Sequence, residues 1–187
     1  MKKEPHLLYV LFNKPYGVLC QFTDEMGRKT LKDYIHFRNV YSVGRLDMDT
    51  EGLLLLTNDG DVNHWLASPK NRMYKTYWAQ VEGMPVQEQM DQLKKGVVIE
   101  GRKTLPAKVR QIDEPKLWER PKPVRFRKNI PTSWIEISIM EGLNRQVRKM
   151  TAAVGLPCLR LVRVSVGPML LGNLAPGEYR MVPKPKI

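Results

Sequence analysis

The chain has 187 residues, of which 31 are Lys or Arg and 19 are Asp or Glu, so its formal net charge at pH 7 is +12. Apolar residues make up 42% of the sequence, which is enough to bury a core and excludes a disordered basic tail. Because no apolar run reaches the roughly 18 residues of a membrane span and no secretory cleavage pattern follows the start, we expect a cytoplasmic protein without membrane contact.

Strand signals dominate the chain, and helix signals are few. Eight short runs rich in β-branched or aromatic residues predict strands at Leu7–Phe12, Val18–Phe22, Leu53–Thr57, Thr76–Val81, Gly96–Ile99, Ala107–Ile112, Trp134–Ile139 and Leu159–Val166. Helices are predicted over Asp61–Ala67, Val86–Lys95 and Arg145–Val154, the last with Asn144 as its N-cap. These elements predict an α+β fold with a mixed, mostly antiparallel sheet. We expect one domain over residues 1–187, with a soft boundary near 83–85 that could divide it into two lobes.

Most of the positive charge lies in one region. Residues 1–100 hold 13 basic and 13 acidic residues, whereas residues 101–165 hold 15 basic and five acidic residues. Within that region, residues 102–128 combine ten basic side chains with Trp118, Phe126 and several prolines, which predicts a long connecting loop. Arginine and aromatic side chains together supply phosphate contacts and stacking surfaces, so an RNA-binding loop is our interpretation. A solvated, mobile loop is the alternative.

An acidic segment, GRLDMDTEGLLLLTNDG, occupies residues 44–60. Its carboxylates Asp47, Asp49 and Glu51 come at every second position, so in an extended strand they would share one face and could bind Mg²⁺. The intervening Thr and Gly favour an irregular loop, which would separate the three carboxylates. A carboxylate inside a basic, RNA-facing cleft weakens phosphate binding. Asp47, beside Arg45, is therefore either a turn residue or a carboxylate required by chemistry.

The helix predicted after Asn144 carries a basic face formed by Arg145, Arg148 and Lys149. This face could line a groove, or it could simply be solvated. An arginine from it could pair with Asp47 and hold the carboxylate ionised and in place.

A third segment of possible functional importance is Arg72–Trp78, in which basic and aromatic residues open the strand predicted over Thr76–Val81. A tyrosine there usually packs in the core or at its rim. It could also stack on a base drawn out of its helix.

Together these segments resemble the pseudouridine synthase family, in particular its branch that modifies bacterial ribosomal RNA. Five ordered motifs carry the resemblance: Lys14-Pro15-x-Gly17, Gly44-Arg45-Leu46-Asp47 with Thr50-x-Gly52-Leu53, Lys75-x-Tyr77, Gly142-x-Asn144-Arg145-Gln146-Val147-Arg148-Lys149-Met150, and Gly172-Asn173-Leu174-x-Pro176-Gly177-Glu178. One such motif is weak evidence, but five in order across most of the chain are specific. Most members of this branch carry a small RNA-binding module before the catalytic domain. Only about six residues precede the first predicted strand here, so we expect that module to be absent.

The resemblance implies a catalytic domain that isomerises a uridine of 23S ribosomal RNA to pseudouridine without metal or cofactor. It implies that Asp47 is the catalytic carboxylate, that Tyr77 stacks on the flipped base and that Arg148 pairs with Asp47. Arg45 would insert near the vacated base position or hold a phosphate. The other residues expected to contact RNA are Lys14, Lys75, Arg145 and Lys149. The partner would be ribosomal RNA or a large-subunit assembly precursor, bound by a monomer.

Two other functions fit parts of the pattern. The charge distribution alone would suit a non-catalytic RNA-binding or ribosome-assembly protein. A metal-dependent nuclease could use Asp47, Asp49 and Glu51 with Mg²⁺. However, the two cysteines are 138 positions apart, and the three histidines (His6, His36 and His64) are scattered, so neither supplies metal-ligand spacing.

Overall fold

The computed structural model describes residues 6–125 and 127–186. The strands within these residues are β1 (Tyr9–Lys14), β2 (Tyr41–Ser42), β3 (Glu51–Thr57), β4 (Lys75–Glu82), β5 (Val98–Ile99), β6 (Arg102–Lys103), β7 (Lys108–Ile112), β8 (Thr132–Ile139), β9 (Cys158–Val166), β10 (Met169–Leu170) and β11 (Tyr179–Met181). The α-helices within them are α1 (Gly60–Ala67), α2 (Gln87–Lys95) and α3 (Gln146–Ala153). No helix among the described residues is long and apolar enough to cross a membrane.

Nine strands form one mixed sheet with the order β11-β1-β3-β9-β4-β8-β7, in which β2 pairs with β3 and β10 with β9. Its pairings are antiparallel except the one between β3 and β9. Strands β5 and β6 form a separate antiparallel pair. The predicted α+β class with a mixed, mostly antiparallel sheet and few helices is therefore confirmed.

The sheet has a buried layer on each face, and β3 contributes to both. Leu54 and Leu56 join one apolar cluster, which includes residues of α2 and α3, whereas Leu53 and Leu55 join a second cluster with Val62 of α1. Because both faces are covered, the strand is a continuous apolar run rather than an alternating one. Complete burial of one such leucine contributes about 1.5–3 kcal/mol.

The parallel pairing of β3 with β9 is short and positions the functional site. It covers only Glu51 with Val162 and Gly52 with Arg163. Gly52 has a φ of 103°, and a Cβ atom there would collide with the backbone oxygen of Arg163. Only glycine therefore allows the close approach of the two strands. Beyond this point the ladder between them ends.

Two predicted elements are corrected. Val18–Phe22 is not a strand, because Leu19 forms only an isolated bridge with Thr30. Asn144 is not the N-cap of α3. The preceding residue of that helix is Arg145, whose φ of 51° is left-handed, and the side-chain oxygen of Gln146 accepts a hydrogen bond from the backbone N–H of Leu143 instead.

The carboxylate of Asp59 caps α1 by accepting hydrogen bonds from the backbone N–H groups of Asp61 and Val62. Its other oxygen accepts a 2.6 Å hydrogen bond from the hydroxyl of Tyr9.

Candidate active site

Asp47 lies in the loop that connects β2 to β3, and backbone hydrogen bonds fix the shape of this loop. The N–H of Thr50 donates to the carbonyl of Asp47 at 3.0 Å, and the N–H of Gly17 donates to the carbonyl of Met48 at 2.8 Å. The second bond ties the loop to the turn after β1. The first and second sequence motifs are therefore adjacent in space, and residues 44–50, which we call the Asp47 loop, are held at the sheet rather than free in solvent.

Lys14 supports this loop from inside the protein. Its side chain is fully buried, and Nζ donates to the carbonyls of Pro15 and Val18 at 2.9 and 2.8 Å, with Met48 at 3.5 Å. Burial lowers the pKa of Lys14 to about 8, although nearby groups including Glu51 and Asp49 oppose this shift. The expectation that Lys14 contacts RNA is therefore corrected, since its ammonium group is occupied by backbone carbonyls.

Two arginines of the third motif meet the Asp47 loop. Arg145 binds Asp49 through two hydrogen bonds of 2.9 and 2.7 Å, and its Nη1 lies 3.5 Å from an oxygen of Asp47. Arg148 donates to the backbone oxygen of Asp49 at 2.8 Å and lies 3.4 Å from its carboxylate. The expected pairing of Arg148 with Asp47 is thus corrected. Arg145, which precedes α3 in a left-handed conformation, is the arginine that lies beside Asp47.

Asp49 is the electrostatic centre of this cluster. Its partial burial tends to raise the pKa of its carboxyl group, but the hydrogen bonds from Arg145 and the charges of Arg148 and Arg145 outweigh this effect and lower the pKa. Two carboxylates and two guanidinium groups give the cluster no net formal charge. The arrangement fixes Asp47 beside a cation while leaving about a third of its side chain exposed.

Glu51 does not join the other two carboxylates of the acidic segment. It is completely buried, and its oxygens accept hydrogen bonds from Arg160 at 2.9 and 3.0 Å and from the indole N–H of Trp118 at 2.7 Å. The three carboxylates therefore do not converge as a shared metal site would require. No group of three or more potential metal ligands occurs among residues 6–125 and 127–186.

Asp47 opens onto a cleft of about 860 Å³. Of the sequence candidates, the residues that line it are Arg45, Asp47, Lys75, Tyr77 and Arg145. Its apolar wall includes Ile139, Val147, Leu161 and Val166. An apolar wall combined with convergent polar groups is the usual form of a small-molecule or base-binding site.

Tyr77 and Lys75 enter this cleft from the first residues of β4. Tyr77 is 8% exposed and lies in the sheet between Ile137 of β8 and Arg163 of β9. Burial lowers the pKa of Lys75, and the positive charge of Arg163 lowers it further. The cleft thus contains an aromatic ring and a lysine together with Asp47.

Lys149 and Arg148 do not line the cleft. The Nζ of Lys149 lies 2.7 Å from Glu100 and 3.3 Å from the side-chain oxygen of Asn144, so it binds the neighbouring loop instead. Only Arg145 of the predicted basic face therefore lines the cleft. Arg148 contacts the Asp47 loop through Asp49, and 12% of its side chain is exposed.

The sequence reasoning missed Arg163 as a cleft residue. It lies in β9, is 4% exposed and lines the cleft. The signal that could have found it is an arginine in a strongly apolar strand, LRLVRVSV. A cation at such a position requires partners or a function.

The basic stretch after β7 forms a loop, residues 113–131, that is pinned to the sheet. Trp118 donates to the buried Glu51, and the guanidinium of Arg120 stacks over the ring of Tyr16, with its carbon 4.1 Å from the ring centroid. Arg160 also donates to the backbone oxygen of Trp118 at 3.0 Å. The predicted connecting loop is present from residue 113 onward, whereas residues 102–103 and 108–112 of the basic stretch belong to β6 and β7. These contacts anchor the loop to the sheet. Phe126, to which we assigned a stacking role, lies outside the described residues.

Comparison with known proteins gives a consistent result. Residues 8–153 match the family model described as RNA pseudouridylate synthase. The chain is 56% identical over 173 residues to the ribosomal large subunit pseudouridine synthase E of Vibrio parahaemolyticus, covering 92% of this chain and 73% of that protein. It is 51% identical to the protein of the same name from Xanthomonas campestris, covering 93% and 95% of the two chains.

More distant relatives preserve the similarity. The ribosomal large subunit pseudouridine synthase B of Bacillus subtilis is 39% identical, with 96% of this chain and 68% of that protein covered. A crystal structure of a pseudouridylate synthase superposes with a TM-score of 0.81 at 28% identity, covering 98% of this chain and 74% of that one.

Proposed function

The chain belongs to the RNA pseudouridylate synthase family, and from this premise we propose that it isomerises a specific uridine of bacterial 23S ribosomal RNA to pseudouridine. It is an enzyme rather than only an RNA-binding protein. The observation that carries the proposal is the position of Asp47, a partly exposed carboxylate beside Arg145 in a cleft that also contains Tyr77.

Asp47 is the proposed catalytic carboxylate. The isomerisation breaks the bond between C1′ of the ribose and N1 of uracil, turns the base and joins C1′ to C5. A carboxylate can stabilise the positive charge that develops at the sugar when such a bond breaks. Three routes use it: attack on C1′, attack on the base ring, or removal of a sugar proton to form a glycal-like intermediate. All three require an oriented carboxylate, which is the role proposed for Arg145 and, through Asp49, for Arg148.

Tyr77 is proposed to stack on the flipped uracil. A base in a helix or stem must leave its stack before Asp47 can reach its sugar, at a cost of a few kcal/mol. Stacking on an aromatic ring returns about 1–3 kcal/mol per base, and phosphate contacts supply the remainder. Arg45 is exposed and lines the cleft, so it suits the vacated base position or a neighbouring phosphate. Lys75 is proposed to contact the target nucleotide from inside the cleft.

The loop of residues 113–131 is proposed to grip the RNA backbone. Arg120, Lys122, Arg125, Arg127 and Lys128 occur within nine residues that contain no Asp or Glu. The anchors at Trp118 and Arg120 hold this segment near the Asp47 loop, because Trp118 binds Glu51, the first residue of β3. A loop that is already ordered loses less conformational entropy when it binds RNA than a mobile one.

We propose further that residues 1–187 act as one catalytic domain, as a monomer and in the cytoplasm, where bacterial ribosomal subunits assemble.

The test is to incubate the protein with unmodified large-subunit ribosomal RNA that carries tritium at C5 of uracil. The proposal expects stoichiometric tritium release from one position, intact RNA and no effect of EDTA. Binding without tritium release would favour an RNA-binding or assembly protein, whereas EDTA-sensitive strand cleavage would favour a nuclease.

A further inference from the structure

Arg163 occupies the place where the sheet opens to form the cleft. It pairs with Gly52 of β3 on one side and with Tyr77 of β4 on the other. The ladder between β3 and β9 ends at this pair, and the Nε of Arg163 donates to the backbone oxygen of Leu53 at 2.8 Å. The side chain therefore bridges the two strands as they separate and lines the cleft beside Tyr77.

The guanidinium of Arg163 is buried without a full set of acceptors. It is 4% exposed, its Nη2 is enclosed without a hydrogen-bond acceptor, and it has no carboxylate partner among residues 6–125 and 127–186. Arg160, three residues earlier on the same strand, is nearly as buried but binds both oxygens of Glu51. An enclosed donor without an acceptor destabilises the folded protein, and more strongly when the group is charged. Arg160 thus belongs to a buried ion pair. In Arg163, Nε donates to Leu53 and Nη2 is enclosed away from the cleft, so Nη1 is the nitrogen that a ligand in the cleft would meet.

The surroundings of Arg163 add positive rather than negative charge. Lys75 also lines the cleft, and the charge of Arg163 contributes to the lowering of its pKa. The aromatic and apolar residues next to them, Tyr77, Leu161 and Val166, supply no acceptor on their side chains beyond the phenol oxygen. This part of the cleft is therefore built to receive an electron-rich group.

We propose that Arg163 donates a hydrogen bond to a carbonyl oxygen of the target uracil and stabilises the negative charge that this base carries once it is detached. The inference rests on the proposed function and deepens it by assigning a residue to the base. A phosphate is a poorer fit, because phosphates stay at the surface of a flipped strand whereas Arg163 is only 4% exposed and adjacent to the ring on which the base is proposed to stack.

The chemistry balances without any further reactant. When the C1′–N1 bond breaks, its electron pair stays on the uracil, and the charge is shared between N1 and the two carbonyl oxygens. After rotation, C5 forms the new bond to C1′, the C5 proton is released and N1 takes up a proton. A fixed guanidinium stabilises the anion only while the bond to the sugar is broken, which is how a preorganised donor accelerates a reaction.

The test combines atom substitution in the RNA with substitution in the protein. Wild-type protein is given RNA whose target is uridine, 2-thiouridine or 4-thiouridine, because sulfur is the weaker acceptor, and single-turnover product formation is measured. We expect one of the two sulfur substitutions to slow the reaction by about tenfold or more, and Arg163→Met to slow it by about 100-fold with little change in RNA affinity. In Arg163→Met the sulfur substitution should have no additional effect. Arg163→Lys should recover part of the rate.

Arg102→Gln is the matched control, since Arg102 lines the same cleft but has 65% of its side chain exposed. It should keep the full sensitivity to sulfur. Unchanged rates with both thio-substituted targets in wild-type protein would overturn the assignment, even if Arg163→Met did not fold. Sulfur effects that persist undiminished in Arg163→Met would overturn it as well. If wild-type protein made no pseudouridine from the unsubstituted RNA, the proposed function itself would fail, and the two failures are therefore distinguishable.

Discussion

The guanidinium of Arg145 lies 3.5 Å from the carboxylate of Asp47 while it donates two shorter hydrogen bonds to Asp49. Asp47 therefore lies close to a positive charge, yet its carboxylate stays partly exposed. A tightly paired, desolvated carboxylate could not approach a sugar, and an isolated one would repel the phosphates of the RNA. Asp49 accepts both hydrogen bonds from Arg145, so Asp47 stays partly exposed and still has a positive charge close to it.

The first prediction concerns Arg148, which contacts the Asp47 loop through the backbone oxygen of Asp49. Replacing it with Ala removes this hydrogen bond and the one to the carbonyl of Cys158, so the loop is held less firmly against α3 and β9. We expect Arg148→Ala to reduce turnover by far more than it reduces RNA affinity, measured by kcat and by Kd. The control is Lys149→Ala, because Lys149 binds Glu100 outside the cleft. A defect of Arg148→Ala confined to Kd would show that it only binds RNA.

The second prediction concerns the buried ammonium of Lys14. Lys14→Met leaves backbone carbonyls without their donor, at about 1–3 kcal/mol for each. A total loss of about 3 kcal/mol would lower the Tm by about 6 to 12 °C in a chain of this size. Turnover should fall too, since the carbonyl of Met48 adjoins Asp47. Unchanged thermal stability of Lys14→Met would contradict the supporting role.

The pH dependence of this effect has a defined sign. The pKa of Lys14 is about 8 in the folded protein and 10.5 in its ordinary state, so the unfolded chain binds more protons between these values. Stability due to Lys14 therefore rises with pH in that window. Urea unfolding should show a larger difference between wild type and Lys14→Met at pH 9 than at pH 7. Groups that titrate alike in both proteins cancel in this comparison. A difference in stability that became smaller as the pH rose would contradict the lowered pKa of Lys14.

The third prediction concerns the anchor of the basic loop. Trp118→Phe removes one hydrogen bond to the charged Glu51 but keeps an aromatic ring, so it should lower the free energy of unfolding by about 1.5–3 kcal/mol. RNA affinity should fall with it because the loop is released. Trp78→Phe is the matched control, since Trp78 donates an equivalent hydrogen bond to Glu136 in the sheet. If both variants lost the same RNA affinity, the hydrogen bond from Trp118 to Glu51 would have no specific role in RNA binding.

The fourth prediction concerns the charges of that loop. Replacing Lys122 and Arg125 with Ala should weaken RNA binding and reduce the slope of log K against log salt by about 0.7 for each phosphate that the variant no longer neutralises. The single-turnover rate at saturating RNA should be unchanged. The same double substitution at Lys94 and Lys95 in α2 should leave the slope as it is. If the two double variants had the same salt slope, the RNA would not contact Lys122 and Arg125.

The sequence was sufficient to predict the fold class, and apolar periodicity located β3 and β4. The catalytic role that the ordered motifs imply for Asp47 stays a prediction, and the sequence was less informative about the partners of the site residues. The identity of the arginine beside Asp47 depends on the left-handed turn at Arg145, which no helical periodicity encodes. The resemblance of Lys14-Pro15-x-Gly17 to a family motif implies an RNA contact for Lys14, and only the carbonyls around its ammonium group indicate a supporting role instead.

Long-range pairing accounts for the other differences. Glu51 follows the spacing of Asp47 and Asp49, yet its partner Arg160 is 109 residues away and holds it in the interior. Arg163 became a candidate only when the short parallel contact between β3 and β9 placed it at the opening of the cleft. Contacts between residues so distant in the chain leave no local pattern in the sequence.

The most direct test of the account is pseudouridine formation by Asp47→Asn, which replaces the carboxylate by a neutral group of the same shape. Product at the target uridine is measured with wild-type and variant protein on the same RNA, together with the Kd of each. We predict that Asp47→Asn folds, binds RNA as the wild type does and forms no pseudouridine. Turnover by a clean preparation of Asp47→Asn at a rate similar to that of the wild type would contradict the assignment of Asp47 as the catalytic carboxylate.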